Sequence, residues 1–338
     1  MSRQRTVRVS CMILGLALLF SAARPSNSLA GDKLTGIYGA QVMSQAMLWI
    51  ANEAGIFSNY NLDFQLIYIA SSAAVTAAML GGDAEVASAG GVGSVRAFVQ
   101  GATDLVFIGA IKNILTQSIL GNPEIRKPED LKGKKIGDTR IGSNTHYFTV
   151  QALKQRRMEA GRDFAFIQTG GEAETLAALS RGAVDAAAMS APADAKALGL
   201  GFRYIVYGPE LQIPHAAQVL VTRRSLISKR ADAIGRFMRS VAEGVAIMNK
   251  DKEFTYKVVG KKLRVTDRKI LDAAYKVETQ AIEPRLEIKP EGIQAILEEV
   301  SEIDSRARKV KPQDLIDRRY LDEMERSGFF NRIGSRTR

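Results

Sequence analysis

The chain has 338 residues, 46% of them hydrophobic and 25% charged, with a net charge of +11 and a single cysteine. Length and composition fit a globular protein of two domains that can bury a core without disulfides or metal. The basic residues are scattered over helix faces and the tail, with no stripe interleaved by aromatics, so they read as solvated surface and not as a nucleic-acid site.

Arg3, Arg5 and Arg8 precede the apolar run Cys11–Ala23, and Ser28-Leu29-Ala30 supplies the small residues of a cleavage site. Residues 1–30 thus read as a secretory signal, with an uncleaved anchor helix as the alternative. Removing that segment removes four arginines and the only cysteine, leaving +7 and a thiol-free chain suited to an oxidising compartment.

An internal repeat sets the architecture. Thr76–Ser88 (TAAMLGGDAEVAS) is echoed by Thr175–Ala188 (TLAALSRGAVDAAA), with Ala77 on Ala177, Gly82 on Gly182, Glu85 on Asp185 and Ala87 on Ala187, an offset of 100. Asp63-Phe64 and Ile67 keep the same frame with Asp163-Phe164 and Ile167. A period this long is a duplicated lobe, not a solenoid unit.

In chain order, residues 33–40 are a strand and 41–54 a helix closed by Gly55, with the lone tryptophan, Trp49, packing within it. Strand 62–69 leads through Ser71-Ser72 into helix 73–80, strand 85–89 into a glycine-rich turn and helix 95–100, and then strand 105–109. Serines at a strand-to-helix turn cap the helix and also suit an anion. The turn glycines lack the spacing of a dinucleotide fingerprint. A strand at 115–120 and a polar connection at 123–133 lead to the second lobe: strand 135–138, a helix from Ser143 to about Met158, strand 164–168, helix 174–180, strand 184–189, helix 191–197 and strand 203–206. Residues 214–222 and 116–121 are read as two hinge strands carrying Gln218 and Gln117. Amphipathic helices follow at 231–250, 254–262, 267–280, 290–301 and 312–327, packing back on the first lobe.

The expected fold is α/β: two similar three-layer lobes joined by two hinge strands, with extra C-terminal helices. The expected domains are a signal at 1–30, lobe 1 at 31–115 plus 216–330, lobe 2 at 116–215, and a disordered tail at 331–338. Ligands of open α/β sheets bind beyond the carboxyl ends of strands. That places Tyr38, Gln41, Ser71, Ser72 and Gly91 of one lobe opposite Arg140, Ser143, Asn144, Thr145, Gly171 and Ser190 of the other. Arg140 reads equally as an exposed turn residue. His146 and His215 read as polar wall or surface residues, and Glu172 and Glu174 as first-turn acids favoured by the helix dipole. No metal set, cofactor motif or nucleophile–base pair is evident, so no cofactor and no catalysis are expected.

Gly55-Ile56-Phe57, Leu80 with Gly82–Ala87, the run from Pro128 to Gly137 (PEDLKGKKIG), Gly142-Ser143, Leu179–Pro192 and Tyr320–Phe329 together resemble the periplasmic binding proteins of nitrate/sulfonate/taurine-type ABC importers. The resemblance covers nearly the whole chain after residue 30. It implies the type II periplasmic binding protein fold, a monomer in the periplasm that closes on a small anionic solute, and an inner-membrane ABC permease as partner. A ligand-sensing module for a membrane receptor and, less in keeping, an enzyme on the same fold are the alternatives. A fungal branch of the fold that makes the thiamine pyrimidine relies on a cysteine-rich motif, which is missing here.

Overall fold

A computed structural model describes residues 31–335. The expected signal and the last three residues of the expected tail lie outside the described residues.

Two five-stranded sheets organise the molecule. The strands are β1 (Asp32–Tyr38), β2 (Leu62–Tyr68), β3 (Val86–Ala89), β4 (Leu105–Ile114), β5 (Ser118–Gly121), β6 (Lys135–Asp138), β7 (Ala165–Gln168), β8 (Ala186–Met189), β9 (Arg203–Val206) and β10 (Pro214–Arg223). The first sheet has the order β2-β1-β3-β10-β4 and the second β7-β6-β8-β5-β9. In each, three strands run parallel and a fourth is inserted antiparallel between the third and the edge. The inserted strand comes from the other half of the chain: β5 follows β4 into the second sheet, and β10 follows β9 back into the first. The segments near Asp63 and Asp163 therefore lie in separate sheets.

The helices are α1 (Ala46–Glu53), α2 (Ile56–Asn59), α3 (Ser72–Gly81), α4 (Val92–Val99), α5 (Asn144–Lys154), α6 (Glu172–Ser180), α7 (Ala193–Gly199), α8 (Arg224–Lys250), α9 (Lys252–Leu263), α10 (Arg268–Ala281), α11 (Pro290–Ile303), α12 (Arg319–Arg326) and α13 (Phe329–Ser335). The repeat is visible in hydrogen bonds. Glu85 N–H donates to the Thr35 carbonyl and Thr35 N–H to the Glu85 carboxylate. Asp185 and Lys135, each 100 residues on, make the same reciprocal pair.

The lobes differ in what covers them. In the first, α1 is buried almost all round, with Trp49 edge-on to Tyr38 at 5.7 Å. Phe57, Phe64 and Phe237 of α8 form one aromatic cluster. The C-terminal helices extend this core through Ile293, Ile296, Tyr320 and Leu321. The second sheet has two smaller clusters, around Phe148 and around Leu179.

Several boundaries differ from the expectations. The helix expected at 41–54 opens with a 3-10 turn, Met43–Gln45. The strand expected to end at Gly109 runs on to Ile114, because residues 105–113 are buried on both faces and pair with β10. Residues 312–327 are not one helix: a 3-10 turn at Pro312–Leu315 is followed by α12. The tail expected to be disordered from 331 is helical to Ser335, since α13 buries Phe329, Phe330 and Ile333 against the core. His215, expected at a wall or surface, is fully buried, with the Tyr147 ring 4.2 Å away; burial pushes it down to about 3.

Candidate functional site

Helices α3, α4, α5 and α6 begin at the carboxyl ends of β2, β3, β6 and β7. The starts of α3, α5 and α6 meet at one cavity of about 70 Å³ between the two sheets, and the turn before α4 adds Gly90 to its wall. First-turn N–H groups have no partner within their own helix, and the helix dipoles add partial positive charge there, so the convergence favours an anionic group. Ser71 caps α3 by accepting from the Ala74 N–H at 3.4 Å, and Ser143 caps α5 by accepting from the His146 N–H at 3.4 Å. Bonds across the cavity hold its two sides together: Met43 N–H donates to the Ala191 carbonyl at 2.9 Å, and Asn144 Nδ2 to the Ala217 carbonyl at 2.6 Å.

Of the expected site residues, Gln41, Ser71, Ser72, Ser143, Asn144, Thr145, Gly171 and Ser190 line this cavity. Three do not. Tyr38 packs between Trp49 and Tyr68, and the wall begins at the next residue, Gly39. Gly91 lies one residue beyond the wall, which is formed by Gly90, and its N–H donates to the Ala216 carbonyl. Arg140 is exposed on its turn.

The structure adds residues that were not expected at the site. Lys112, at the new end of β4, is buried; its Nζ donates to Glu278 of α10 at 2.9 and 3.2 Å and to Thr116 Oγ1 at 2.7 Å. Gln117 and Gln218, expected in hinge strands, line the cavity. So does Glu172, whose carboxylate accepts from the Ser190 N–H at 3.1 Å. Removal from water pushes its carboxyl up to about 7. Beneath the wall, Asp138 is buried with one oxygen accepting from Thr149 Oγ1 and the other unpartnered, and burial raises it to about 8. The hydroxyls of Thr139, Ser143 and Thr145 form a triangle of 2.9 Å contacts above it. The His146 ring packs tilted against Phe166 at 4.6 Å, outside the cavity lining, and burial lowers it to about 4.

A second chamber of about 230 Å³ adjoins the first, sharing Gln41, Tyr68 and Glu172 with it. Its remaining wall includes Glu174, Leu176, Pro192, Lys196 and Leu263. No cluster of three or more metal-ligating side chains occurs among the described residues.

The family model described as "NMT1/THI5 like" matches residues 43–253. The chain belongs to the NMT1/THI5-like family. No curated protein matches it. Solved structures share its fold at low identity. A protein of Bordetella bronchiseptica RB50 superposes with a TM-score of 0.76 at 20% identity, over 88% of this chain and 99% of that one. The alkanesulfonate-binding protein SsuA of Xanthomonas axonopodis pv. citri, bound to MOPS, gives 0.70 at 18%, over 85% and 98%. The periplasmic aliphatic sulphonate-binding protein SsuA of Escherichia coli gives 0.68 at 19%, over 84% and 98%. The two-lobed architecture of this NMT1/THI5-like chain is thus that of periplasmic binding proteins.

Proposed function

We propose that the protein is an exported solute-binding protein that closes its two lobes on a small solute with an anionic group and delivers it to an ABC importer. The observation that carries this reading is the cavity between the sheets, walled by corresponding turns of both lobes and faced by the N-termini of α3, α5 and α6. The alkanesulfonate and sulphonate binding of the structural neighbours supports the ligand class. Lys112 is held by Glu278, so the anionic group would rest on helix ends and hydroxyls rather than on a salt bridge.

Binding without turnover is part of this reading. The cavity hydroxyls of Ser143 and Ser190 are engaged by Thr139, Thr145 and Gln117 and so are not poised as nucleophiles. Closure would be a hinge motion about the two crossings at 115–117 and 207–213. The lobe division at 31–115 plus 216–330 against 116–215 belongs to the same proposal, as do the periplasmic location and the monomeric state.

Small-angle scattering with a panel of alkanesulfonates, nitrate and carboxylates tests it. A solute that raises Tm and lowers the radius of gyration is expected. A chain that no member stabilises and whose dimensions never change contradicts it.

A further inference from the structure

One acid and one base line the cavity wall, Glu172 and Lys112, and they do not pair. Lys112 Nζ donates to the two oxygens of Glu278 at 2.9 and 3.2 Å and to Thr116 Oγ1 at 2.7 Å, so its charge is already answered behind the wall. Glu172 accepts from the Ser190 N–H at 3.1 Å, and no basic side chain among the described residues pairs with it. Ionised, it is the one uncompensated side-chain charge of this chamber.

The groups packed around Glu172 add acids rather than bases. On α7, Asp194 accepts from the Ala195 N–H and the Tyr204 hydroxyl and repels a charge on Glu172. Asp138 of β6 is a further acid within reach of that charge, and Glu174 follows on α6 itself. Lys196 of α7 turns its Nζ to the Leu263 carbonyl at 3.4 Å, and Tyr68 of β2 shares both chambers with Glu172. A chamber of about 70 Å³ gives an oxyanion no room to stand away from this carboxyl. Two like charges within about 4–6 Å disfavour joint ionisation, as in a carboxylate pair that shares one proton. Of the two partners the weaker acid takes the proton, and a carboxyl is a far weaker acid than a sulfonate or nitrate.

We propose that the anionic solute enters together with one proton, taken from solvent by Glu172, whose neutral carboxyl then donates its O–H to the solute and keeps the Ser190 N–H on its other oxygen. The inference rests on the solute-binding reading and names Glu172 as the residue that selects for an oxyanion. Removed from water and beside Asp194, Glu172 holds its proton up to about 7 even without a guest. Uptake is therefore small below that pH and approaches one proton above it. Affinity is highest on the acid side and falls as pH rises, by up to about tenfold per unit for one linked proton.

Calorimetry on the purified chain tests this with ethanesulfonate, propanesulfonate, nitrate and sulfate, all ionised across the range used. The tightest of them should bind at least about tenfold more weakly at about pH 8.5 than at about pH 6. Titrations near pH 8 in buffers of different ionisation enthalpy should report close to one proton taken up per solute. Glu172→Gln keeps the shape and never ionises; it should reduce the affinity ratio between the two pH values to below about threefold and abolish the uptake. Glu172→Ser, which copies Ser72 of the first lobe, serves as a second variant should the first fail to fold, and should flatten the profile in the same way. Equal affinity at both pH values with no proton taken up, or a slope kept in full by the variants, overturns the proposal and leaves solute binding standing. If none of the four anions and no carboxylate binds at either pH, the solute-binding reading fails, and this inference with it.

Discussion

The two lobes are one design with two fillings. Position by position, at the offset of 100, Tyr38 answers to Asp138, Ser72 to Glu172 and Gly90 to Ser190. The backbone treats each pair alike: Ile69 N–H donates to the Tyr38 carbonyl and Thr169 N–H to that of Asp138, and Ser72 and Glu172 each open a helix at the cavity. The side chains do not. One lobe buries a tyrosine where the other buries a carboxyl, and one presents a hydroxyl where the other presents an acid. Duplication has fixed where groups point, while the chemistry at those points has diverged, which is what a site gripping an asymmetric guest requires.

The comparison is broken most severely by cutting what supports the first lobe alone. Phe237→Ala removes a ring shared with Phe57 and Phe64 and should cost about 3–5 kcal/mol in urea unfolding. Lys112→Met should cost a similar amount, about 3–5 kcal/mol, because Glu278 is left buried and unpaired. Adding Glu278→Leu to the Lys112 variant should recover most of that loss, and a double variant no more stable than the single one would contradict the burial argument.

A subtler exchange carries the second lobe's residue into the first. A Cβ at Gly90 would lie 2.2 Å from Asn144 Oδ1 across the cavity. Gly90→Ser should therefore hold the lobes apart, weakening solute binding by about tenfold or more while the free energy of urea unfolding stays within about 0.5 kcal/mol of wild type. Scattering on the variant should show the larger dimensions even with solute present.

The Tyr38/Asp138 pair predicts a pH signature. The native Asp138 carboxyl keeps its proton up to about 8, whereas the unfolded one loses it near the ordinary carboxyl value of 3.8. Its contribution to stability is thus full below that ordinary value and is lost as pH rises through about 8. Asp138→Asn should flatten this fall, raising Tm at pH 8 relative to wild type and changing it little at pH 4. The smallest effect is expected at the start of β8: Asp185→Asn weakens a partly exposed pair with Lys134 at 3.9 Å, keeps an oxygen for the Lys135 N–H, and should cost no more than about 1 kcal/mol.

How much of this was legible before the structure follows from the same pairs. The repeat exposed the architecture because its marks, Gly82 with Gly182 and Glu85 with Asp185, are local features of helix ends and strand starts. It also placed Ser71, Ser72, Ser143, Asn144 and Ser190 at the cavity, since strand-to-helix turns are readable from periodicity. Tyr38 and Gly91 missed the wall by one step of the strand or turn, a register that sequence does not fix. Lys112 was illegible because a lysine in a strand becomes buried only through Glu278, 166 residues away. Glu172 was noticed but read as a dipole acid, and only the closure of the other lobe over it gives its carboxyl a cavity to face.

The central claim is that one guest is held by both lobes at once. Calorimetry with the best-bound solute of the panel, on wild type, Ser72→Ala from the first lobe and Ser190→Ala from the second, measures this directly. Affinity lost in both variants, with Tm of the free chains unchanged, is the predicted result; affinity lost in one variant only, or in neither, would contradict the account.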